Sequence, residues 1–351
     1  MESISMNLDS KQAKLWSPKG QTIQCIDAHT EGEPLRVIFS GYPQPSGDTI
    51  LLQRNFLEEF HDSLRTALMW EPRGHRDMYG CLITEPVSQE ADFGVLFMHN
   101  EGYSTMCGHG IIAVTKVILE TGVLPKSEPE TRVIIDTPAG LTTAWAKVVG
   151  GHVESVRFHN VPSYVHALHQ FVDLPNLGQV KYDLAFGGAY YAYVQARDVG
   201  LVATPSYYSE FVRIGKLIKE SIVTNLSIVH PYETDLGFLY GVIFVDSAQS
   251  SGAHSRHVCV FADGEVDRSP TGTGVSGRLA LLIAKNKIQL EESIEIESII
   301  GSSFVGQAVQ EIPFGPHKAI IPEIKGHAFI TGQHTFYIDP NDPLKYGFRL
   351  S

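Results

Sequence analysis

Apolar and β-branched positions fall in short runs along almost the whole chain. TIQCIDAH (22–29), FGVLFMH (93–99), RVIIDT (132–137), YYAYVQA (190–196), YGVIFVD (240–246) and HVCVFA (257–262) are separated by Gly, Pro and Asp turns. Runs of this kind predict strands, and strands dominate the chain. Two segments break the pattern and predict helices: 110–121, GIIAVTKVILET, closed by Gly122, and 275–286, VSGRLALLIAKN. Both are apolar nearly all round, so each is expected to lie buried inside a shell of strands.

The two helices share a feature at their starts. Cys107-Gly108-His109-Gly110 precedes the first and Thr271-Gly272-Thr273-Gly274 the second, a loose internal repeat. A mixed α/β (α+β) fold of two pseudo-symmetric halves follows, each half wrapping a sheet around one central helix. The Pro-containing, polar stretch 159–179 is the expected crossing between them. The boundary falls near residue 164, giving domains 1–164 and 165–337, with 338–351 returning to complete the first.

With 351 residues, 43% hydrophobic and 19% charged, the chain has the composition of a globular protein long enough for two cores. Its net charge of −12 lacks the basic footprint that nucleic acid or an anionic membrane surface requires. The N-terminal stretch has no apolar leader core and no later run reaches membrane-span length, so a cytoplasmic protein is expected. Cys25, Cys81, Cys107 and Cys259 lie far apart with no CxxC spacing, which points to free thiols rather than a disulfide framework or a zinc site.

The glycines of the second turn fit GxGxxG as GTGVSG (272–277), with Glu297 near the place of a ribose-binding acid. The context is wrong for a dinucleotide: the preceding strand ends near Ala262, and a long loop containing Pro270 replaces the tight strand-to-helix turn. Anion capture is the better use. The N–H groups of Gly108, His109, Gly272 and Thr273 stand at two helix N-termini, where unpaired donors and the helix dipole favour a carboxylate. Tight turns feeding buried helices are the plain alternative for either turn alone; the pairing favours a site. Cys107, at a helix start beside His109, is the best nucleophile or base in the chain, and both neighbours are expected to lower its thiol from about 8.5. The other three cysteines sit in apolar strand-like runs and read as buried and inert. Asp267, in a polar loop, either accepts a hydrogen bond from a substrate ammonium or caps a turn. WEPRGHRDMYG (70–80) reads as a site-lining loop, and FGGAYYAYV (186–194) as a strand with a glycine bend.

Five segments, DAHTEGEP (27–34), WEPRGHRDMYG (70–80), GYSTMCGHG (102–110), FGGAYYAYV (186–194) and VDRSPTGTG (266–274), resemble the signature segments of the proline racemase family, in order and across nearly the whole chain. The resemblance implies a diaminopimelate-epimerase-like fold with the active site in the cleft between two domains, no cofactor, and a small imino acid as partner; a homodimer is left open. In the racemases both turns carry a cysteine. Here Cys107 matches the first and Thr271 replaces the second, and an aliphatic hydroxyl is too weak an acid or base for the missing proton transfer. The Cys/Thr pairing resembles the subgroup that dehydrates trans-3-hydroxy-L-proline, a hydro-lyase reaction of hydroxyproline catabolism for which one thiolate suffices. The resemblance gives Cys107 the role of base and Gly108, His109, Gly272 and Thr273 the substrate carboxylate. It gives Asp267 the ring nitrogen, Tyr79 and Phe261 the apolar walls, and Thr271 a positioning role. A proline or hydroxyproline epimerase, and an amino-acid-binding module without catalysis, are the alternatives.

Overall fold

A computed structural model describes residues 19–350; the first eighteen residues, most of the N-terminal stretch read above for a leader, lie outside the described part. In the first half, β1 (Gln21–Thr30) pairs antiparallel with β2 (Glu33–Ser40), and two helices, α1 (Ile50–Phe60) and α2 (Asp62–Met69), lead to β3 (Tyr79–Thr84), parallel to β2. β4 (Phe93–His99) returns antiparallel to β3, and the short β5 (Tyr103–Ser104) folds back on β4. After α3 (Gly108–Glu120), β6 (Glu130–Thr137) pairs parallel with β4 and continues into the antiparallel meander β7 (Gly140–Val149) and β8 (His152–His159).

The second half repeats this order. After β9 (Ser163–Leu174), β10 (Gly178–Phe186) pairs antiparallel with β11 (Tyr190–Gln195), and α4 (Tyr208–Asn225) leads to β12 (Leu239–Asp246), parallel to β11. β13 (Ser255–Phe261) returns antiparallel and the short β14 (Glu265–Val266) folds back on it. After α5 (Gly272–Ala284), β15 (Ile294–Glu297) pairs parallel with β13 and continues into the antiparallel β16 (Ser303–Phe314) and β17 (His317–Gly326). The last strand, β18 (Ala328–Ile338), pairs with β1 as β9 pairs with β10.

The stretch 159–179 is mostly the strand β9, paired with β10. β18 runs from Ala328 to Ile338 along β1. β17 also pairs with β8 and β9, so the hydrogen-bonded ladder runs through both halves.

The two apolar helices lie where their composition placed them. α3 is buried except at Lys116 and Glu120 and packs against β1, β2, β7, β8, β17 and β18. α5 is buried through its first two turns, Arg278 apart, and packs against β9, β10, β11, β16 and β17. Each fully buried Ile, Leu or Val on these faces contributes about 1.5–3 kcal/mol. Both helices start earlier than expected, at Gly108 and Gly272, since glycine's low propensity counts for little in a first turn whose N–H groups have no intrahelical acceptor. α1, α2 and α4 were not foreseen. In α4 the signal was present: its buried Phe211, Ile214, Ile218 and Ile222 recur at helical spacing. Among the described residues no helix is long and apolar enough to cross a membrane, and no group of His, Cys, Asp and Glu is arranged to hold a metal ion.

Candidate active site

The two turns meet. A Cβ built on Gly108 would come within 2.8 Å of the Gly272 main chain, so the N-termini of α3 and α5 abut glycine to glycine. Around that contact lies a small cavity of about 20 Å³ lined by Tyr79, Met106, Cys107, Gly108, His109, Tyr191, Tyr240, Phe261, Asp267, Thr271, Gly272 and Thr273. All nine residues singled out from the sequence line it. Met106, Tyr191 and Tyr240 were missed. Tyr191 lies within FGGAYYAYV, read above only as a bent strand; its hydroxyl bonds Thr273 Oγ1 at 2.8 Å. The loop 70–80 contributes only Tyr79. Trp70, Glu71, His75, Arg76 and Asp77 instead border a separate cavity of about 400 Å³ that contains neither turn.

The two helix caps invert the usual preference. Cys107, in extended conformation, caps α3: its Sγ accepts the Gly110 N–H at 3.3 Å. Threonine is the better capping residue in general, yet Thr271 makes no cap bond to α5. Its φ of +68° is an outlier for a β-branched side chain. Its Oγ1 is buried, and the Cys259 thiol is the polar group beside it. Backbone strain of this kind clusters at functional sites.

The electrostatics of Cys107 differ from expectation. Burial pushes its thiol well above the ordinary range; the Gly110 N–H and the Tyr79 hydroxyl oppose this, and the charges of Asp267 and Glu33 add to it. Desolvation therefore outweighs the helix N-terminus. His109 Nδ1 lies 3.2 Å from Cys107 Sγ, and burial holds that imidazole below its usual value, so it stays neutral. Thr30 Oγ1 donates to the His109 carbonyl at 2.8 Å, which ties the segment 27–34 to the turn.

Asp267 is buried, and its Oδ1 accepts the Ser269 N–H at 2.8 Å. It thus caps the turn as the plain reading held, while also lining the cavity. The loop is pinned to the first half by Glu33, whose Oε2 accepts the Arg268 N–H at 2.7 Å. Phe261 stacks on Tyr240 with ring centroids 5.5 Å apart, and Tyr79 meets the His109 ring edge-on at 4.8 Å. The remaining cysteines are free and buried, Cys25 in β1, Cys81 in β3 and Cys259 in β13. Glu297 does not face the GTGVSG turn as a ribose acid would. Its carboxylate accepts the Gln249 and Ser250 N–H groups and pairs with Arg256, a structural role.

One cavity thus brings together the Cys107 thiol and the starts of α3 and α5, on a mixed α/β fold. The family model described as proline racemase matches residues 25–349, and the chain belongs to that family. The trans-3-hydroxy-L-proline dehydratase of Colwellia psychrerythraea is 48% identical over 340 residues, covering 95% of this chain and 96% of its own length. The protein of the same description from Bacillus thuringiensis is 47% identical, covering 93% and 97%. Among solved structures, a hydroxyproline epimerase from Agrobacterium vitis with bound trans-4-hydroxy-L-proline superposes with a TM-score of 0.90 at 34% identity, covering 95% of this chain and 97% of its own.

Proposed function

We propose that the chain removes water from trans-3-hydroxy-L-proline without a cofactor, giving Δ1-pyrroline-2-carboxylate, with Cys107 as the base. The observation that carries the reading is the unequal pair of caps: a thiol at one of two abutting helix starts and a hydroxyl at the other. The dehydratases at 47–48% identity support it.

In this reading the N–H groups of Gly108, His109, Gly272 and Thr273 hold the substrate carboxylate. Asp267 accepts from the protonated ring nitrogen, and Tyr79 and Phe261 exclude water from the ring. The cation arriving beside Cys107 replaces missing solvation and lowers the thiol, so the base forms when substrate is bound. In this substrate the hydroxyl is trans to the carboxylate, so the α-hydrogen and the leaving group share a face. The thiolate takes the α-proton, the C3–O bond breaks, and the resulting enamine tautomerises to the ketimine. Thr271 offers its hydroxyl to the opposite face as a contact rather than a base.

The same reading takes the repeated strand order as two pseudo-symmetric domains, each a barrel-like sheet around its helix. They divide near residue 164, with the chain from 328 returning to the first. The deciding experiment incubates the pure protein with each hydroxyproline isomer and follows ketimine formation and optical rotation together. Ketimine from the trans-3 isomer alone is the expected result; epimerisation without ketimine would make the chain an epimerase.

A further inference from the structure

The cavity holds a second set of groups that the proton abstraction does not use. The Tyr79 hydroxyl from β3 is hydrogen-bonded to Ser104 Oγ from β5, and Ser104 Oγ lies 3.3 Å from the Tyr240 hydroxyl of β12. Tyr79 and Tyr240 line the cavity, with Ser104 behind them. Each hydroxyl can both donate and accept, so the direction of donation within the cluster can turn, and an O–H can be handed to a group in the cavity. Tyr79 borders the same cavity as Cys107, and its hydroxyl opposes the rise of that thiol. Resting on the dehydratase reading, the leaving hydroxyl departs from the Cys107 face.

We propose that the Tyr79–Ser104–Tyr240 hydroxyl cluster receives the departing β-hydroxyl, with Tyr79 as its proton donor and Ser104 as the positioning residue that orients the two phenols. While Cys107 is a thiolate, the Tyr79 O–H donates to it. Once the sulfur has taken the α-proton its charge is gone, and the developing charge on the β-oxygen becomes the better acceptor. The C2–H electron pair becomes the C2=C3 bond, and the C3–O pair leaves with oxygen. That oxygen takes the Tyr79 proton to become water. The Cys107 S–H then returns a proton to the Tyr79 oxygen through their contact, restoring phenol and thiolate. No proton enters from outside, and no oxidant or metal is called for. Burial keeps both phenols protonated, as donors must be. The cluster also selects substrate: a hydroxyl at C3 meets it, whereas a ring lacking one leaves that hydrogen bond unmade.

The test uses a leaving group that departs without becoming water. Tyr79→Phe, Tyr240→Phe, Ser104→Ala and Ser104→Thr are each given trans-3-hydroxy-L-proline and trans-3-fluoro-L-proline, following ketimine and fluoride. Tyr79→Phe is expected to lose about 100-fold or more in kcat on the hydroxy substrate, the scale of a lost general acid. It should lose less than about tenfold on the fluoro substrate, whose leaving group needs no full proton transfer. In heavy water, unreacted hydroxy substrate recovered from this variant should carry α-deuterium, because proton removal outlives the blocked departure. Ser104→Thr should retain activity that Ser104→Ala loses. Equal losses on both substrates, or no loss on the hydroxy substrate, would overturn the proposal. Should Tyr79→Phe fail to fold, the same bias in Tyr240→Phe decides it. A wild type that forms ketimine from neither substrate would instead refute the dehydratase reading itself.

Discussion

Gly108 and Gly272 face each other so closely that a Cβ on the first would lie 2.8 Å from the Cα of the second, and a Cβ on the second 2.9 Å from the Cα of the first. Both obstructions are main chain, which cannot turn aside as a side chain does. These two glycines are what let the two helix N-termini come together.

Gly108→Ala is therefore expected to part the helices. Overpacking of this kind costs about 1–3 kcal/mol of stability, and kcat/KM should fall by about 100-fold because the carboxylate donors lose their convergence. Gly102→Ala is the control, since nothing lies within 4 Å of a Cβ there. Denaturant melts and steady-state kinetics on the two variants check this; wild-type kinetics in Gly108→Ala would show that the abutment is not needed.

The raised Cys107 thiol makes stability depend on pH with a definite sign. The folded protein keeps that proton at pH values where the unfolded thiol, near 8.5, has lost it. Its contribution is therefore complete below about pH 8.5 and is lost as pH rises beyond, by up to about 1.4 kcal/mol per pH unit. Urea titrations of wild type and Cys107→Ala between about pH 7 and 10, a window that brackets the unfolded thiol, isolate it: wild type should lose stability relative to the variant on the alkaline side. A constant difference would mean the thiol is not held protonated.

Asp267 serves both the turn and the cavity, and one substitution separates the two roles. In Asp267→Asn the new amide oxygen can still accept the Ser269 N–H that Asp267 Oδ1 now takes at 2.8 Å, so the fold should hold. Charge toward the ring nitrogen is lost. The substitution should thus lower kcat/KM by about 1.5–3 kcal/mol, the scale of a charge-assisted hydrogen bond, with an unchanged melting temperature. If stability falls and kinetics do not, Asp267 is a turn cap alone.

What could be read from the chain alone followed from local chemistry. Cys107, His109, Thr271 and Thr273 announced themselves because two glycine-rich turns each opened an apolar helix, and that requires only neighbouring residues. Tyr191 and Tyr240 did not, because they are strand residues brought to the turns by the β11–β12 pairing, a long-range event that local pattern does not encode. The thiol's direction was misjudged for a related reason. A helix start beside a histidine is visible in sequence, whereas the aromatic residues that close over Cys107 come from β3, β12 and β13. In the stretch 159–179 the strand β9 was hidden by polar side chains, many of which occupy its less buried positions.

Thr271→Cys probes the second face. Cysteine lacks the branch that strains φ of +68°, so the variant should be at least as stable as wild type. It places a thiol at the start of α5 opposite Cys107. L-Proline, which has no β-hydroxyl to lose, should then be converted to D-proline, read by chiral chromatography. A variant that folds and dehydrates yet yields no D-proline would show that position 271 does not address the α-carbon.

The central claim is that Cys107 alone removes the α-proton. Serine is a good helix N-cap, so Cys107→Ser should preserve the bond now made from the Gly110 N–H, and with it the start of α3. Its hydroxyl cannot act as a thiolate. The decisive measurement is ketimine release from trans-3-hydroxy-L-proline by this variant, alongside its melting temperature. The expected result is a protein that melts like wild type and has lost activity by about 10²–10⁴-fold or more; a folded variant dehydrating at a near-wild-type rate would contradict the account.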